Sequence, residues 1–248
     1  MAWLAELAAA GLFPVLYWQG KRARARTPRL PEATGQPCGI AGNGDSGRFH
    51  LLVLGESPVA GVGVDSYQES LAAQFAQTIA EQTDQQVYWR AIGKNGSKIS
   101  EFLEDDLPIA DDDMAQPDLV LLVFGVNDTT GFTPDRLYRR HLLALKTRLE
   151  QHLRPRAWLI SAVPRVGRFP ALPPPLRTVL GYKAAALNRV SRDFATHHQA
   201  GFAAMPELQA GWMAKDGFHP SAAGVRHWAQ ALCTAWLRCT VKGFPQSG

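Results

Sequence analysis

Two residues towards the C-terminal end have the types and spacing needed for proton transfer. Asp216 and His219 lie three residues apart in the stretch DGFHPSAAG, on a predicted turn before a helix. This spacing lets the aspartate carboxylate reach the imidazole ring. A histidine oriented in this way can act as the base for a serine nucleophile, so the sequence must also supply a suitable serine.

Two short serine motifs compete for this role: GDS, ending at Ser46, and GES, ending at Ser57. Ser57 directly follows the apolar run HLLVL, which predicts a strand buried on both faces. A serine at that strand end has a backbone N–H free to face a ligand. Ser46 precedes every predicted strand and lies in ordinary turn composition. Because an activated serine needs rigid orientation towards its base, we predict that Ser57 is the nucleophile.

Two further polar motifs also follow predicted strands. Gly96 ends the motif GKNG, and Asn127 lies in GVND directly after the very apolar run LVLLVF. A glycine lets the backbone approach a bound group closely, and Asn127 supplies a neutral amide donor. Ligands of open α/β sheets bind outside the carboxyl ends of the strands, so we expect these residues at one edge of the sheet. Each motif alone is equally compatible with an ordinary loop.

The elements that must position these residues alternate between strand and helix along the chain, which predicts an α/β fold with a mostly parallel sheet and helices on both faces. Short apolar runs predict five strands, at residues 50–54, 87–92, 119–124, 158–163 and 201–205. Four-residue apolar steps and end signals predict helices between them, at residues 67–83, 97–107, 133–153, 182–198 and 221–237.

Taken together, the four motifs resemble the SGNH hydrolase family, also called GDSL-type esterases and lipases. The resemblance spans about residues 49–237 and implies a flavodoxin-like three-layer α/β/α sandwich. It implies that Ser57 is the nucleophile, and that the backbone N–H groups of Ser57 and Gly96 and the side chain of Asn127 form an oxyanion hole. It implies that His219 is the base and Asp216 its orienting carboxylate. The sequence departs from the family at Glu56, where an aspartate usually precedes the serine.

The resemblance implies hydrolysis of a carboxylic ester, either lipid-like or short-chain, without a cofactor. No set of His, Asp or Glu residues has metal-ligand spacing. Residues 165–176 follow a predicted strand, and their prolines and apolar side chains predict a pocket wall, although a stiff surface loop fits equally well. A wall would suit an acyl chain better than a sugar. The alternatives are a carbohydrate O-deacetylase with the same machinery and a non-catalytic binding protein with the same fold.

The chain has 248 residues, and its net charge of +4 equals the number of basic residues in the single stretch KRARAR. This local patch argues against a nucleic-acid-binding body. We predict three parts: an apolar N-terminal helix with this basic stretch (1–26), an irregular linker (27–47) and the hydrolase domain (48–240). Because the positive charge follows the apolar run, residues 1–26 suit either a membrane-surface anchor on the cytoplasmic side or a helix packed on the domain. Three sparse cysteines favour a reducing compartment, and oligomeric state leaves no signal in the sequence.

Overall fold

A computed structural model describes residues 11, 13–104, 107, 116–209 and 211–242. Its centre is a six-stranded sheet in the order β1-β3-β2-β4-β5-β6. The strands are β1 Cys38–Ala41, β2 Arg48–Gly55, β3 Gln86–Gly93, β4 Leu119–Val123, β5 Trp158–Ser161 and β6 Gly201–Ala203. All neighbours are parallel except β1, which runs antiparallel to β3. Without β1 the order is that of a flavodoxin-like fold, as predicted.

Helices cover both faces of this sheet. They are α1 Phe13–Arg26, α2 Leu71–Thr83, α3 Glu101–Glu104, α4 Val126–Thr130, α5 Asp135–His152, α6 Leu176–His197 and α7 Ala222–Lys242. Alternate residues of β2 contribute to two separate cores: Leu52 and Leu54 pack with α1, α5 and α6, whereas Leu51 and Val53 pack with α2 and α7. This explains why residues 51–54 of β2 and all of β4 are continuously apolar, since neither face meets water there. The three-layer α/β/α architecture is confirmed.

The sequence predicted five strands and an irregular linker at residues 27–47, and the structure corrects both points. Strand β1 lies within that linker and adds a sixth strand at the edge of the sheet. Its residue Gly39 packs against the ring of Trp89, where an added Cβ would lie 3.0 Å from the indole. Four residues containing a glycine leave no alternating or apolar pattern, and main-chain hydrogen bonds alone define the strand.

Helix α1 packs on the domain, with Leu16 and Ala23 buried in the same core as α5 and α6. The Gln19 side chain is bonded at both ends to the segment before α6: Nε2 donates to the Pro174 carbonyl at 2.9 Å, and Oε1 accepts from Leu176 N–H at 3.1 Å. The first ten residues of the predicted anchor segment lie outside the described part of the chain. Within the described part, no helix combines the length and apolarity needed to cross a membrane.

Candidate active site

Ser57 lies just beyond the carboxyl end of β2, between β3 and β4. Gly55 is required there because an added Cβ would lie 2.3 Å from the Val123 carbonyl. The Ser57 carbonyl accepts from Val62 N–H at 2.9 Å, which fixes the turn after the strand. The serine is 7% exposed, and within the described residues its N–H donates to no protein acceptor. The strand therefore holds Ser57 rigidly with its amide free to meet a ligand.

His219 and Asp216 meet Ser57 from the turn that precedes α7. Asp216 Oδ1 accepts from the N–H groups of Phe218 and His219, each at 3.0 Å, so the carboxylate shapes the turn. Its Oδ2 lies 2.5 Å from His219 Nδ1, and His219 Nε2 lies 3.1 Å from Ser57 Oγ. A carboxylate on Nδ1 places the ring proton there and leaves Nε2 to accept the serine proton. The structure thus joins three predicted site residues in one hydrogen-bond chain, an arrangement that can activate a hydroxyl for attack on a carbonyl.

The side chain of Glu56, which stands where the family usually has an aspartate, bonds to the start of α4. Glu56 is 2% exposed, and its carboxylate turns towards the start of α4. Oε1 accepts from Val126 N–H at 2.7 Å, and Oε2 accepts from the backbone N–H of Asn127 at 2.9 Å and from its side-chain amide. Burial raises the pKa of Glu56 from 4.5 to about 7, against the opposing effect of these N–H donors. The longer side chain therefore ties the serine turn to Asn127.

Asn127 is held on two sides. Besides Glu56, its Nδ2 donates to the Ser97 carbonyl at 3.2 Å, which joins the start of α4 to the loop after β3. Both amide hydrogens are thus directed at protein acceptors. A role as an oxyanion donor, which stays a prediction, requires Asn127 to share or exchange one of these bonds.

Gly96 lies in the exposed loop after β3, one residue before Ser97. Its φ is +79°, a conformation that glycine adopts without strain, and a Cβ there would meet nothing within 4 Å. No acceptor for its N–H exists among the described residues. The loop that carries Gly96 therefore borders Asn127, as the strand-end argument predicted.

Ser46 lies at the other end of β2. Its hydroxyl donates to Asp84 Oδ2 at 3.0 Å, and its N–H donates to the Asp84 carbonyl at 3.1 Å. The eight residues of β2 span roughly 26 Å at about 3.3 Å per residue, so the two serines are a whole strand apart. Ser46 is thus a turn residue far from His219.

A cleft with an apolar lining opens beside Ser57 and His219. Phe169 forms part of its wall, packing edge-to-face on Phe218 with centroids 5.1 Å apart, and Phe218 packs in turn on His219. The predicted wall at residues 165–176 is therefore partly confirmed, although its last residue already begins α6. Four other lining residues were not predicted from the sequence, because the segment after β6 has no apolar periodicity. They are Met205, Leu208, Trp212 and Met213.

Gly63 is a further residue to which the sequence gave no role. Its φ is +106°, and an added Cβ would lie 2.3 Å from the Pro220 carbonyl and 3.2 Å from His219 Cβ. The segment after Ser57 thus packs backbone to backbone against the histidine turn. The sequence feature that could have pointed to Gly63 is the motif GVGVD, in which two glycines lie two residues apart shortly after the serine.

The protein combines an open, mostly parallel sheet between two helical layers with a hydrogen-bonded Ser–His–Asp chain at the carboxyl edge of the sheet. This combination of fold and site is typical of hydrolases. The family model of the GDSL-like lipases and acylhydrolases matches residues 53–227, so the chain belongs to that family. The match begins within β2 and includes Ser57 but not Ser46.

Solved structures with the same fold include lipases and sugar esterases. A lipase from a goat rumen metagenome is 14% identical, with a TM-score of 0.63 over 80% of this chain and 99% of that chain. The lipase/acylhydrolase of Enterococcus faecalis is 17% identical, with a TM-score of 0.59 over 81% and 100%. An acetylxylan esterase from Geobacillus stearothermophilus is 16% identical, with a TM-score of 0.52 over 84% and 99%. A search of curated proteins found no match.

Proposed function

We propose that this chain hydrolyses carboxylic esters through an acyl-enzyme on Ser57. The observation that carries the proposal is the hydrogen-bond chain from Ser57 Oγ through His219 to Asp216, at 3.1 Å and 2.5 Å, beside an apolar cleft. His219 Nε2 takes the serine proton as Oγ attacks the ester carbonyl, and then returns it to the departing alcohol. Water reverses the sequence and releases the acid. Asp216 holds the ring and stabilises its protonated form.

The oxyanion formed at the carbonyl needs donors that are already in place. The N–H groups of Ser57 and Gly96 supply two, and Asn127 supplies a third by sharing its side-chain amide. Losing one such donor typically lowers turnover by about 10²–10³. The tie from Glu56 to Asn127 keeps this third donor beside the serine turn.

The cleft favours an apolar acyl group as the substrate moiety. Its wall near the serine consists of aromatic and methionine side chains, which bind hydrocarbon by burying apolar area. A carbohydrate O-deacetylase, such as the acetylxylan esterase among the structural neighbours, uses the same machinery but needs polar partners for sugar hydroxyls. We therefore expect longer aliphatic acyl esters to have a higher kcat/KM than acetyl esters, including acetylated xylan. A preference for acetyl groups on sugar would favour the deacetylase instead.

Labelling with a fluorophosphonate probe tests the proposed nucleophile. We expect the folded protein to react at one serine, Ser57→Ala to abolish both labelling and ester hydrolysis, and His219→Ala to slow labelling by at least about 10³-fold. Ser46→Ala is the matched control and should keep wild-type rates. If labelling survives in Ser57→Ala and is lost in Ser46→Ala, the nucleophile is Ser46 and not Ser57. Folded wild-type protein that takes no label and cleaves no ester would instead point to a binding protein.

A further inference from the structure

One side of helix α1 is covered by the domain and the other is fully open. Leu16 is 4% exposed, whereas Tyr17 and Trp18 are each 58% exposed. At 3.6 residues per turn, Trp18 and Lys21 lie about 200° and about 140° around the helix from Leu16. We call the outward set of Tyr17, Trp18, Lys21, Arg22 and Arg24 the aromatic-basic face. Helix α1 therefore packs on the domain through one side and exposes the aromatic-basic face to solvent on the other.

The charges of this helix have no carboxylate partner in the part of the chain that the structure describes. Within the described residues, no carboxylate forms an ion pair with Lys21, Arg22, Arg24 or Arg26, whereas cations elsewhere do pair, as Lys183 does with Asp135 at 2.6 Å. Favourable interaction with the helix dipole explains basic residues in the last turn only, where Arg24 and Arg26 lie. Neither an ion pair among the described residues nor the helix dipole therefore explains Lys21 and Arg22.

Each of those two cations lies over an exposed aromatic ring. Lys21 Nζ is 5.6 Å from the centroid of the Tyr17 ring, and the Arg22 guanidinium is 4.9 Å from that of Trp18. Exposed tryptophan and tyrosine with adjacent cations match the chemistry of a membrane interface, where the rings lie at headgroup level and the cations meet phosphates. In sequence, the residues before α1 are mostly apolar.

The aromatic-basic face continues into a cleft between α1 and the active-site side of the domain. The cleft has a volume of about 520 Å³, and Arg22 and Arg26 line one side of it while Lys215 and Asp216 line the other. Asp216 is the single carboxylate of the lining and is already bonded to His219. A space of this size with three cations can take the phosphate of a lipid headgroup.

We propose that the aromatic-basic face of α1 is a docking surface for bilayers that contain anionic phospholipid. The charge of the face is complementary to such a bilayer, and its two exposed rings suit the headgroup region, whereas a nucleic-acid duplex would use the cations and leave the rings unexplained. The helix lies along the surface, anchored to the protein by Leu16, Gln19 and Ala23. Docking at this face does not depend on the proposed ester hydrolysis.

Vesicle flotation with the full chain tests the proposal. We expect binding to vesicles of phosphatidylcholine mixed with phosphatidylglycerol, little binding to phosphatidylcholine alone, and weakening of binding as salt rises. The variant Lys21→Gln/Arg22→Gln/Arg24→Gln should bind about 100-fold more weakly, at about fivefold per cation removed. Trp18→Ala should weaken binding to the same vesicles while leaving the charge unchanged.

The matched control is Arg136→Gln/Arg140→Gln on α5, which removes exposed cations from another surface and should bind like the wild type. Circular dichroism verifies that each variant is folded, and the salt series on the wild type tests the proposal without any variant. Equal binding to neutral and anionic vesicles, or equal binding of the triple variant and the wild type, would overturn it. So would retention of a short DNA duplex by the same cations in the absence of vesicle binding.

Discussion

Glu56 is a residue beside the site whose protonation makes the stability of the fold depend on pH. It is a buried carboxyl that receives three N–H groups from two neighbouring residues. Because burial raises its pKa from 4.5 to about 7, the folded protein binds this proton more tightly than the unfolded chain does. The contribution of Glu56 to stability is therefore complete below about pH 4.5 and is lost as the pH rises through about 7.

We expect Glu56→Gln to remove this pH dependence. Between pH 4.5 and pH 8 the wild-type free energy of unfolding should fall relative to that of the variant by up to about 3 kcal/mol. Urea denaturation of both proteins at several pH values measures the difference, and every other titrating group cancels because both proteins contain it. Parallel stability curves for the two proteins would show that folding does not raise the pKa of Glu56.

For single residues, the sequence predicted which side chains lie at the site better than it predicted their hydrogen-bond partners. The buried strand before Ser57 was sufficient to prefer it over Ser46, since rigidity follows from local apolar sequence. The contact of Glu56 with Asn127 could not be predicted, because the two residues are 71 positions apart and no local pattern encodes a contact across the sheet. The double attachment of Asn127 was hidden for the same reason.

Among the elements, the segment after β2 and the turn before α7 meet at Gly63. We expect Gly63→Ala to force the two apart, because its Cβ would overlap the Pro220 carbonyl and its backbone has positive φ. The fluorophosphonate labelling rate of Ser57 should fall at least about tenfold, with a loss of stability of about 1–3 kcal/mol.

Gly35→Ala is the matched control for this substitution. Gly35 also has a positive φ, of +95°, but an added Cβ there meets nothing within 4 Å. It should therefore show backbone strain alone, with stability reduced and the labelling rate of the folded fraction unchanged. If both variants label alike, the close approach at Gly63 does not position His219.

Elements built from apolar patterns were predictable, and those built from main-chain contacts were not. The five predicted strands are all present, because each has apolar residues that pack against helices on at least one face of the sheet. Strand β1 was missed since an edge strand needs few buried side chains. Helix α6 begins at Leu176 and not at the predicted 182, because prolines before it favoured a loop reading although proline is well tolerated at a helix start.

For the molecule as a whole, α1 is joined to the domain by few contacts. Gln19 makes both of its hydrogen bonds to the segment that leads from Phe169 to α6. We expect Gln19→Ala to raise the population of chains with α1 detached by about fivefold, as a net loss of about 1 kcal/mol implies. Trypsin cleavage within residues 21–26, followed by mass spectrometry, measures this opening.

The control for this experiment is Gln230→Ala, an exposed position on α7 far from α1 in the fold. Its cleavage pattern should match that of the wild type. Rapid cleavage of the wild type itself within residues 21–26 would mean that α1 is detached most of the time. The choice between anchor and packed helix could not be made from sequence, because only the three-dimensional arrangement shows that one side of the helix is buried against the domain and the other is exposed.

The hydrogen bond between Ser57 and His219 joins residues 162 positions apart, and this has a consequence for the order in which activity is acquired. During synthesis the strand bearing the serine can pair with β3 and β4 long before the histidine leaves the ribosome. Contacts of such long sequence separation form late because loop closure must come first. Under the proposed mechanism, a nascent chain would contain the serine without its base, and we expect it to be unreactive even though much of its sheet is complete. Serine reactivity thus reports that the last turn and α7 have docked, which helical content alone does not.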